Sequence, residues 1–459
     1  MSLLVLLLIT LGANAFHAQR RGETLYFNDR NAGEKLILTP YIKSGQIDTA
    51  RKLAQVPPLV GSVQSYSGFL TVDDESCDSN MFFWFFPASR KWNTAPVAVW
   101  LQGGPGASSL YGLFDENGPY GLTAKNEPML RNYSWHEAAS VVYIDNPVGT
   151  GFSYSKLECY SQNQTHVGRN LLSAVKQIMA LFPEIKSNPF FVTGESYAGK
   201  YVPALSYAIH KDNQISQTKI NLQGLAIGNG LVDPGNQLHY SDYLYQLGLI
   251  DSRGKGVFAA TESKCRKFIA ADQWTDAYHC FDSLLNGDKT TGKTYFYNVT
   301  GFEFYFNYLH NEQPPEGNID ELLKLPEVRK AIHVGNSPWN NGTFVQDKLM
   351  NDMMQSVAPW LEELLEHYRV LIYNGQLDII VAYPLTEAYL KKLKWSAAKK
   401  YGKAERHLWR VGPELAGYAK VAGNLTEIMV RNAGHMVPAD QPKWAFDLIS
   451  RFISNKSYF

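Results

Sequence analysis

Short, largely apolar runs recur along the chain, separated by longer stretches in which apolar residues return every three or four positions. The runs fall at residues 81–86 (ended by Pro87), 97–101, 141–144, 189–193, 222–227, 370–373 and 428–430. They are rich in β-branched and aromatic residues and do not alternate with polar ones. That suits strands covered on both faces, as in a mostly parallel sheet. Between them, residues 167–182 place Leu171, Leu172, Val175, Ile178 and Met179 at helical spacing. Residues 442–453 do the same with Ala445, Leu448, Ile449, Phe452 and Ile453. Strand and helix in alternation predict an α/β fold around a central sheet.

Two regions break the rhythm. Residues 231–354 are rich in Tyr, Asn, Asp and Gly and hold two of the cysteines. They read as an inserted cap that divides a core into residues 61–230 and 355–459. Residues 16–60 are polar and lack a core pattern, which predicts an N-terminal leader or surface segment. Ahead of them, residues 3–11 are apolar apart from Thr10, too short a run to span a bilayer. Ala13-Asn14-Ala15 follows with small residues at both outer positions, so residues 1–15 read as a signal peptide. No internal repeat is present.

Composition narrows the partners. A chain of 459 residues, 45% hydrophobic and 19% charged, is long enough to bury a large core. Lys plus Arg equals Asp plus Glu at 43 each, so the basic footprint of a nucleic-acid binder is missing. The run Lys391, Lys392, Lys394, Lys399, Lys400 reads as a solvated face. Sequons at Asn132, Asn163, Asn298, Asn341, Asn424 and Asn455 agree with a secreted or lysosomal setting, with no membrane span. Cys77, Cys159, Cys265 and Cys280 allow three pairings, of which Cys265 with Cys280 is the local choice. None has close metal-ligand spacing, so neither a metal nor another cofactor is expected. The sequence says nothing of oligomeric state.

The candidate chemistry lies in loops that follow strands, where open α/β sheets bind ligands. Ser196 stands in Gly194-Glu195-Ser196-Tyr197-Ala198-Gly199, a tight strand-to-helix turn that would project its hydroxyl. A serine in that place also caps helices, so the motif alone does not decide. Asp378 ends the run at 370–378 and could orient an imidazole; an Asx turn is the plainer alternative. His435 lies in Asn432-Ala433-Gly434-His435, after a strand and before a helix, and could exchange a proton with the serine. The order Ser, Asp, His is that of α/β hydrolases. Gln102-Gly103-Gly104-Pro105-Gly106 follows the strand at 97–101, where backbone N–H groups can face a developing oxyanion.

Together these segments resemble the serine carboxypeptidase family. The matching stretches are Trp100-Leu-Gln-Gly-Gly-Pro-Gly-Ala-Ser-Ser109, Glu116-Asn-Gly-Pro119, Asp145-Asn-Pro-Val-Gly-Thr-Gly-Phe-Ser153, Gly194-Glu-Ser-Tyr-Ala-Gly-Lys-Tyr-Val-Pro203, Gly228-Asn-Gly230, Asn374-Gly-Gln-Leu-Asp378 and Gly434-His-Met-Val-Pro438. The likeness runs from about Tyr66 to the C-terminus and is strongest to the vitellogenic-like branch. It implies an α/β-hydrolase fold and release of amino acids from peptide C-termini. It further implies that Ser196, Asp378 and His435 form the catalytic triad. Gly104 and Tyr197 would supply the oxyanion N–H groups. Gln102, Gly103, Glu116 and Glu195 would hold the substrate's carboxylate, and Met436 would border the leaving-residue pocket. Two glutamates beside a carboxylate cannot all be ionised, so one must keep a proton, which predicts best binding at acid pH. The chain departs from the family pattern at Gln102, where members often have Asn, and at Ala107, where many have Cys.

Two other readings fit the same residues in part. An esterase or acyltransferase would use the same three residues but has no need of Glu116 and Glu195. A non-catalytic secreted glycoprotein would need neither.

Overall fold

The computed structural model describes residues 24–73, 76–314 and 317–459; the segment read as a signal peptide lies outside them. An eleven-stranded sheet forms the spine. Its centre is a parallel set in the order Ser140–Ile144, Val97–Leu101, Phe190–Glu195, Leu222–Gly228, Arg369–Gly375 and Leu425–Val430. Six of the seven apolar runs of the sequence lie in these strands, and the seventh, at 81–86, forms an antiparallel strand beside them. Strand Val97–Leu101 shows why: Val97, Val99 and Leu101 face one core cluster, and Ala98 and Trp100 the other. A strand buried on both sides leaves no room for a polar face.

Helices Gln164–Leu181 and Ala198–Ile215 cover one face, and Pro442–Ile453 covers the other. Antiparallel strands extend both sides of the sheet. Gln55–Val56, Ser65–Thr71 and Asn80–Phe86 flank one side, and Glu414–Ala422 with Arg406–Val411 the other. This is an α/β-hydrolase fold.

The polar stretch before residue 60 differs from its expected surface course. Leu38, Ala50 and Ala54 are fully buried in the main core, and Gln55–Val56 joins the sheet. Helix Ile47–Ala54 inserts two alanines four positions apart. So small a hydrophobic stripe among charged neighbours carries almost no pattern signal.

Between strands Leu222–Gly228 and Arg369–Gly375 the chain leaves the sheet for a mainly helical excursion, which includes Ser252–Ala270, Trp274–Phe281 and Thr343–Met353. A disulfide joins Cys265 to Cys280 and pins the first two of these helices together. A second joins Cys77 to Cys159. No helix among the described residues is long and apolar enough to cross a membrane.

Candidate active site

Three loops meet beyond the carboxyl ends of the parallel strands. The first is the turn between Phe190–Glu195 and Ala198–Ile215. Ser196 sits there at φ 62°, a left-handed conformation that side chains other than glycine rarely adopt. The turn is held from below: Ser196 N donates to Gly228 O at 3.0 Å, and Leu231 N donates to Ser196 O at 3.0 Å. Its glycines are required. A Cβ on Gly194 would come within 2.4 Å of Leu101 O, and one on Gly199 within 2.6 Å of Leu231 N. Ala198 fits at the intervening position, which explains the departure from a strict Gly-x-Ser-x-Gly.

The second and third loops bring Asp378 and His435 together, both buried. His435 Nδ1 lies 2.9 Å from Asp378 Oδ2. An ionised carboxylate only accepts, so Nδ1 carries the proton and Nε2 bears the lone pair. Nε2 is buried and without a protein hydrogen-bond partner. The imidazole stacks on Phe306 with ring centroids 4.5 Å apart and planes within 10°, and His435 N donates to Phe306 O at 2.7 Å. Asp378 is fixed in turn. Asn229 Nδ2 donates to its Oδ2 at 2.7 Å, and the N–H groups of Ile380 and Val381 donate at 3.1 and 3.2 Å. An imidazole held this way can take a hydroxyl proton and return it.

The loop Gly103 to Gly106 packs backbone against the serine turn. A Cβ on Gly103 would lie 2.5 Å from Tyr197 N and 2.7 Å from Ser196 Cβ. Gly104, at φ 106°, follows in a conformation that suits glycine. The loop thus packs directly against the peptide N–H of the first residue after Ser196.

Beside the serine lies a buried acid pair. Glu195 is fully buried and Glu116 is 2% exposed. Gln102 Nε2 donates to Glu116 Oε1 at 3.0 Å and to Glu195 Oε1 at 2.9 Å. The amide is oriented by Trp100 Nε1, which donates to Gln102 Oε1 at 2.8 Å. Burial pushes the Glu116 carboxyl up to about 7, and burial together with the charge of Glu116 drives Glu195 well above its ordinary value. Each carboxyl also has a buried second oxygen, Oε2, without a hydrogen-bond partner.

A cavity opens on Ser196, Gly104 and Tyr197. Its far walls come largely from the helical excursion, notably Phe281, Tyr305, Phe306 and Met353. Met436, half-buried at the start of helix Val437–Asp440, is not a wall of this cavity. Of the sequon asparagines, Asn132, Asn163, Asn298 and Asn455 are exposed, whereas Asn341 and Asn424 are half-buried. The Asn424 amide is already engaged, donating to Leu365 O at 2.8 Å. Among the described residues no cluster of His, Cys, Asp and Glu could hold a metal.

Two residues of the site were given no role from sequence, although Asn229 lies in the matching stretch Gly228-Asn-Gly230. Asn229 had a signal, a polar residue between two glycines directly after a strand. Phe306 had none, because its segment shows no period.

Comparison with known proteins agrees with this geometry. The serine carboxypeptidase family model matches residues 57–455. The venom serine carboxypeptidase of Apis mellifera is 54% identical over 436 residues, covering 94% of this chain and 93% of that one. The vitellogenic carboxypeptidase of Aedes aegypti is 48% identical, covering 97% and 95%. The probable serine carboxypeptidase CPVL of Homo sapiens is 47% identical, covering 93% and 91%. The crystal structure of Kex1(delta)p, a prohormone-processing carboxypeptidase from Saccharomyces cerevisiae, shares the fold. Its TM-score is 0.73 at 24% identity, covering 88% of this chain and 96% of that one.

Proposed function

The chain belongs to the serine carboxypeptidase family and is a serine-type carboxypeptidase acting on peptides, and from that premise we propose how its residues divide the work. Ser196 Oγ attacks the last peptide carbonyl as His435 Nε2 takes its proton. Asp378 holds the imidazole and offsets the charge it gains. The N–H groups of Gly104 and Tyr197 receive the oxyanion. His435 returns the proton to the departing amine, the C-terminal amino acid leaves, and water releases the acyl chain by the same steps in reverse order. Gln102, Gly103, Glu116 and Glu195 bind the terminal carboxylate, with Met436 beside the leaving residue.

The observation that carries this reading is the buried acid pair Glu116 and Glu195, joined by the Gln102 amide, with Glu195 next to Ser196 in the chain. A pair that keeps a proton can donate to a carboxylate, which is the mark of a chain end. An esterase has no use for it. Binding is therefore tightest at acid pH. That preference, the sequons and the named relatives support a secreted or lysosomal setting. Residues 231–354 act as a cap between core parts 61–230 and 355–459. No nucleic acid is a partner.

Ser196→Ala is expected to abolish trimming of a blocked dipeptide with unchanged circular dichroism; full activity in that variant would exclude the mechanism. A peptide should be cleaved far faster than its C-terminal amide. Equal rates would favour the esterase reading. A fluorophosphonate that leaves folded protein unlabelled at Ser196 would favour a non-catalytic glycoprotein.

A further inference from the structure

Tyr197, the residue after Ser196, is held at both of its ends. At the backbone, Gly103 packs against its peptide nitrogen, and its carbonyl accepts from Lys200 N at 2.9 Å. Its ring is a wall of the cavity that opens on Ser196. The ring meets Tyr201 edge-on, with centroids 5.2 Å apart and planes at 75°. At the far end the hydroxyl is buried and donates to Asp352 Oδ2 at 3.1 Å.

Asp352 belongs to another part of the chain, the last turn of helix Thr343–Met353 in the excursion over the sheet. Its Oδ2 also accepts from Gln164 Nε2 at 2.6 Å and lies 3.1 Å from Lys200 Nζ. One carboxylate oxygen thus gathers donors from the first residue of helix Gln164–Leu181, from the serine turn and from the helix that follows the turn. The Lys200 ammonium balances its charge and donates to the carbonyls of Asp352 and Met353 as well. A phenol tied at its hydroxyl and wedged against a second ring cannot swing, so the peptide unit at its other end keeps its aim. An oxyanion donor works by being aimed before the charge develops.

From this arrangement we infer that Asp352 is a positioning residue that acts through the Tyr197 hydroxyl to hold the N–H which receives the oxyanion. The excursion that walls the cavity then also steadies the nucleophile's turn. The inference rests on the oxyanion role proposed for Tyr197 and adds the group that fixes it. Loss of a whole donor costs about 100-fold or more in kcat. A donor that is loosened but still present should cost less, about tenfold.

The test compares Tyr197→Phe, which keeps the ring and the peptide N–H, with the double variant Lys200→Met and Asp352→Leu, which removes the acceptor without stranding a charge. Both are assayed on a blocked dipeptide, with kcat expressed per site titrated to completion by a fluorophosphonate, so that unfolded protein does not count. Each should lower kcat about tenfold and leave KM within about twofold. In the double variant the loss should persist even as the thermal midpoint returns toward that of the unaltered protein, which a merely structural role would not produce. The triple variant should be no slower than the slower of the two, because both remove one contact. Should the double variant not fold, Tyr197→Phe decides alone. An unchanged kcat in Tyr197→Phe, a rise in KM alone, a kcat that recovers with stability, or losses that multiply in the triple variant would overturn this inference and leave the carboxypeptidase reading standing. Unaltered protein that neither cleaves the dipeptide nor takes the label would remove that reading itself.

Discussion

Lys200 Nζ and Asp352 Oδ2 lie 3.1 Å apart with no solvent access to the ammonium. Gln164 Nε2 and Tyr197 OH converge on the same carboxylate oxygen at 2.6 and 3.1 Å, and Lys200 also donates to the carbonyls of Asp352 and Met353. The pair joins the helix that follows Ser196 to the segment that supplies Met353 to the cavity wall. Burial lowers the Lys200 ammonium from its ordinary value, against the pull of Asp352. Removing one partner strands the other in the interior, a loss of about 3–5 kcal/mol. Lys200→Met is expected to lower the thermal midpoint by several degrees. Lys200→Met with Asp352→Leu should recover much of that, because an apolar pair of similar volume costs no desolvation. A single variant as stable as the parent would show that the pair is not held as described.

Gly103→Ala tests the contact between the glycine loop and the serine turn. The added methyl would meet Tyr197 N, Ser196 Cβ and Glu195 O within 2.8 Å. Three of three obstacles belong to the turn itself, so the two segments must part. Separation of the loop from the turn would spoil the alignment of the proposed oxyanion donors. We expect kcat to fall by ~100-fold or more, in the range for loss of one such donor. An unchanged kcat would show that the loop and the turn need not touch.

The parallel strands and the loops that follow them were legible because the physics there is local. A strand buried on both faces must be apolar throughout, and a glycine that cannot bear a Cβ has no substitute. The edge strands were not legible. Arg406–Val411 buries Trp409 but exposes Arg406, Leu408 and Arg410, so its alternation mixes with charge. Asp378 and His435 were found from their places after strands, whereas Phe306, which backs the imidazole, comes from a segment outside any helix or strand, with no period to read. The hold on Tyr197 was hidden for a different reason: Asp352, which accepts from its hydroxyl, is 155 residues away.

Asn229 bridges two of the site's loops. Its Nδ2 donates to Asp378 Oδ2, and its Oδ1 accepts from Gly375 N at 3.1 Å. Without it Asp378 keeps the imidazole and two backbone donors but loses its shortest hydrogen bond. Asn229→Ala should lower kcat about tenfold with little change in KM, because the residue acts through Asp378 and not on the bound peptide. It should also shift the acid limb of the kcat profile, which a purely structural lesion would leave in place. A rise in KM alone would argue that Asn229 shapes the substrate site instead.

With Glu116 and Glu195 in the carboxylate-binding role proposed for them, the acid pair would set the dependence on pH. Glu116 titrates at about 7 and Glu195 well above its ordinary range, so below about 7 both can be neutral and donate to a substrate carboxylate. Above it Glu116 carries charge next to that carboxylate and repels it. KM for a free-acid peptide should therefore stay low on the acid side and climb as pH passes about 7. KM for the corresponding amide should not follow it. The folded-state value of Glu116 lies above its ordinary 4.5, so its contribution to stability is complete below about 4.5 and lost as pH rises through about 7. Glu116→Gln keeps a neutral donor at all pH values. It should flatten both the KM profile and the fall in thermal midpoint across that window. Isothermal titration with a non-cleavable peptide analogue on the Ser196→Ala background gives the same quantity without turnover. Proton uptake on binding above pH 7 is the expected sign, because the anion restores the proton to the pair. Proton release, or a KM that improves toward alkaline pH, would mean that Glu116 and Glu195 do not hold the terminal carboxylate.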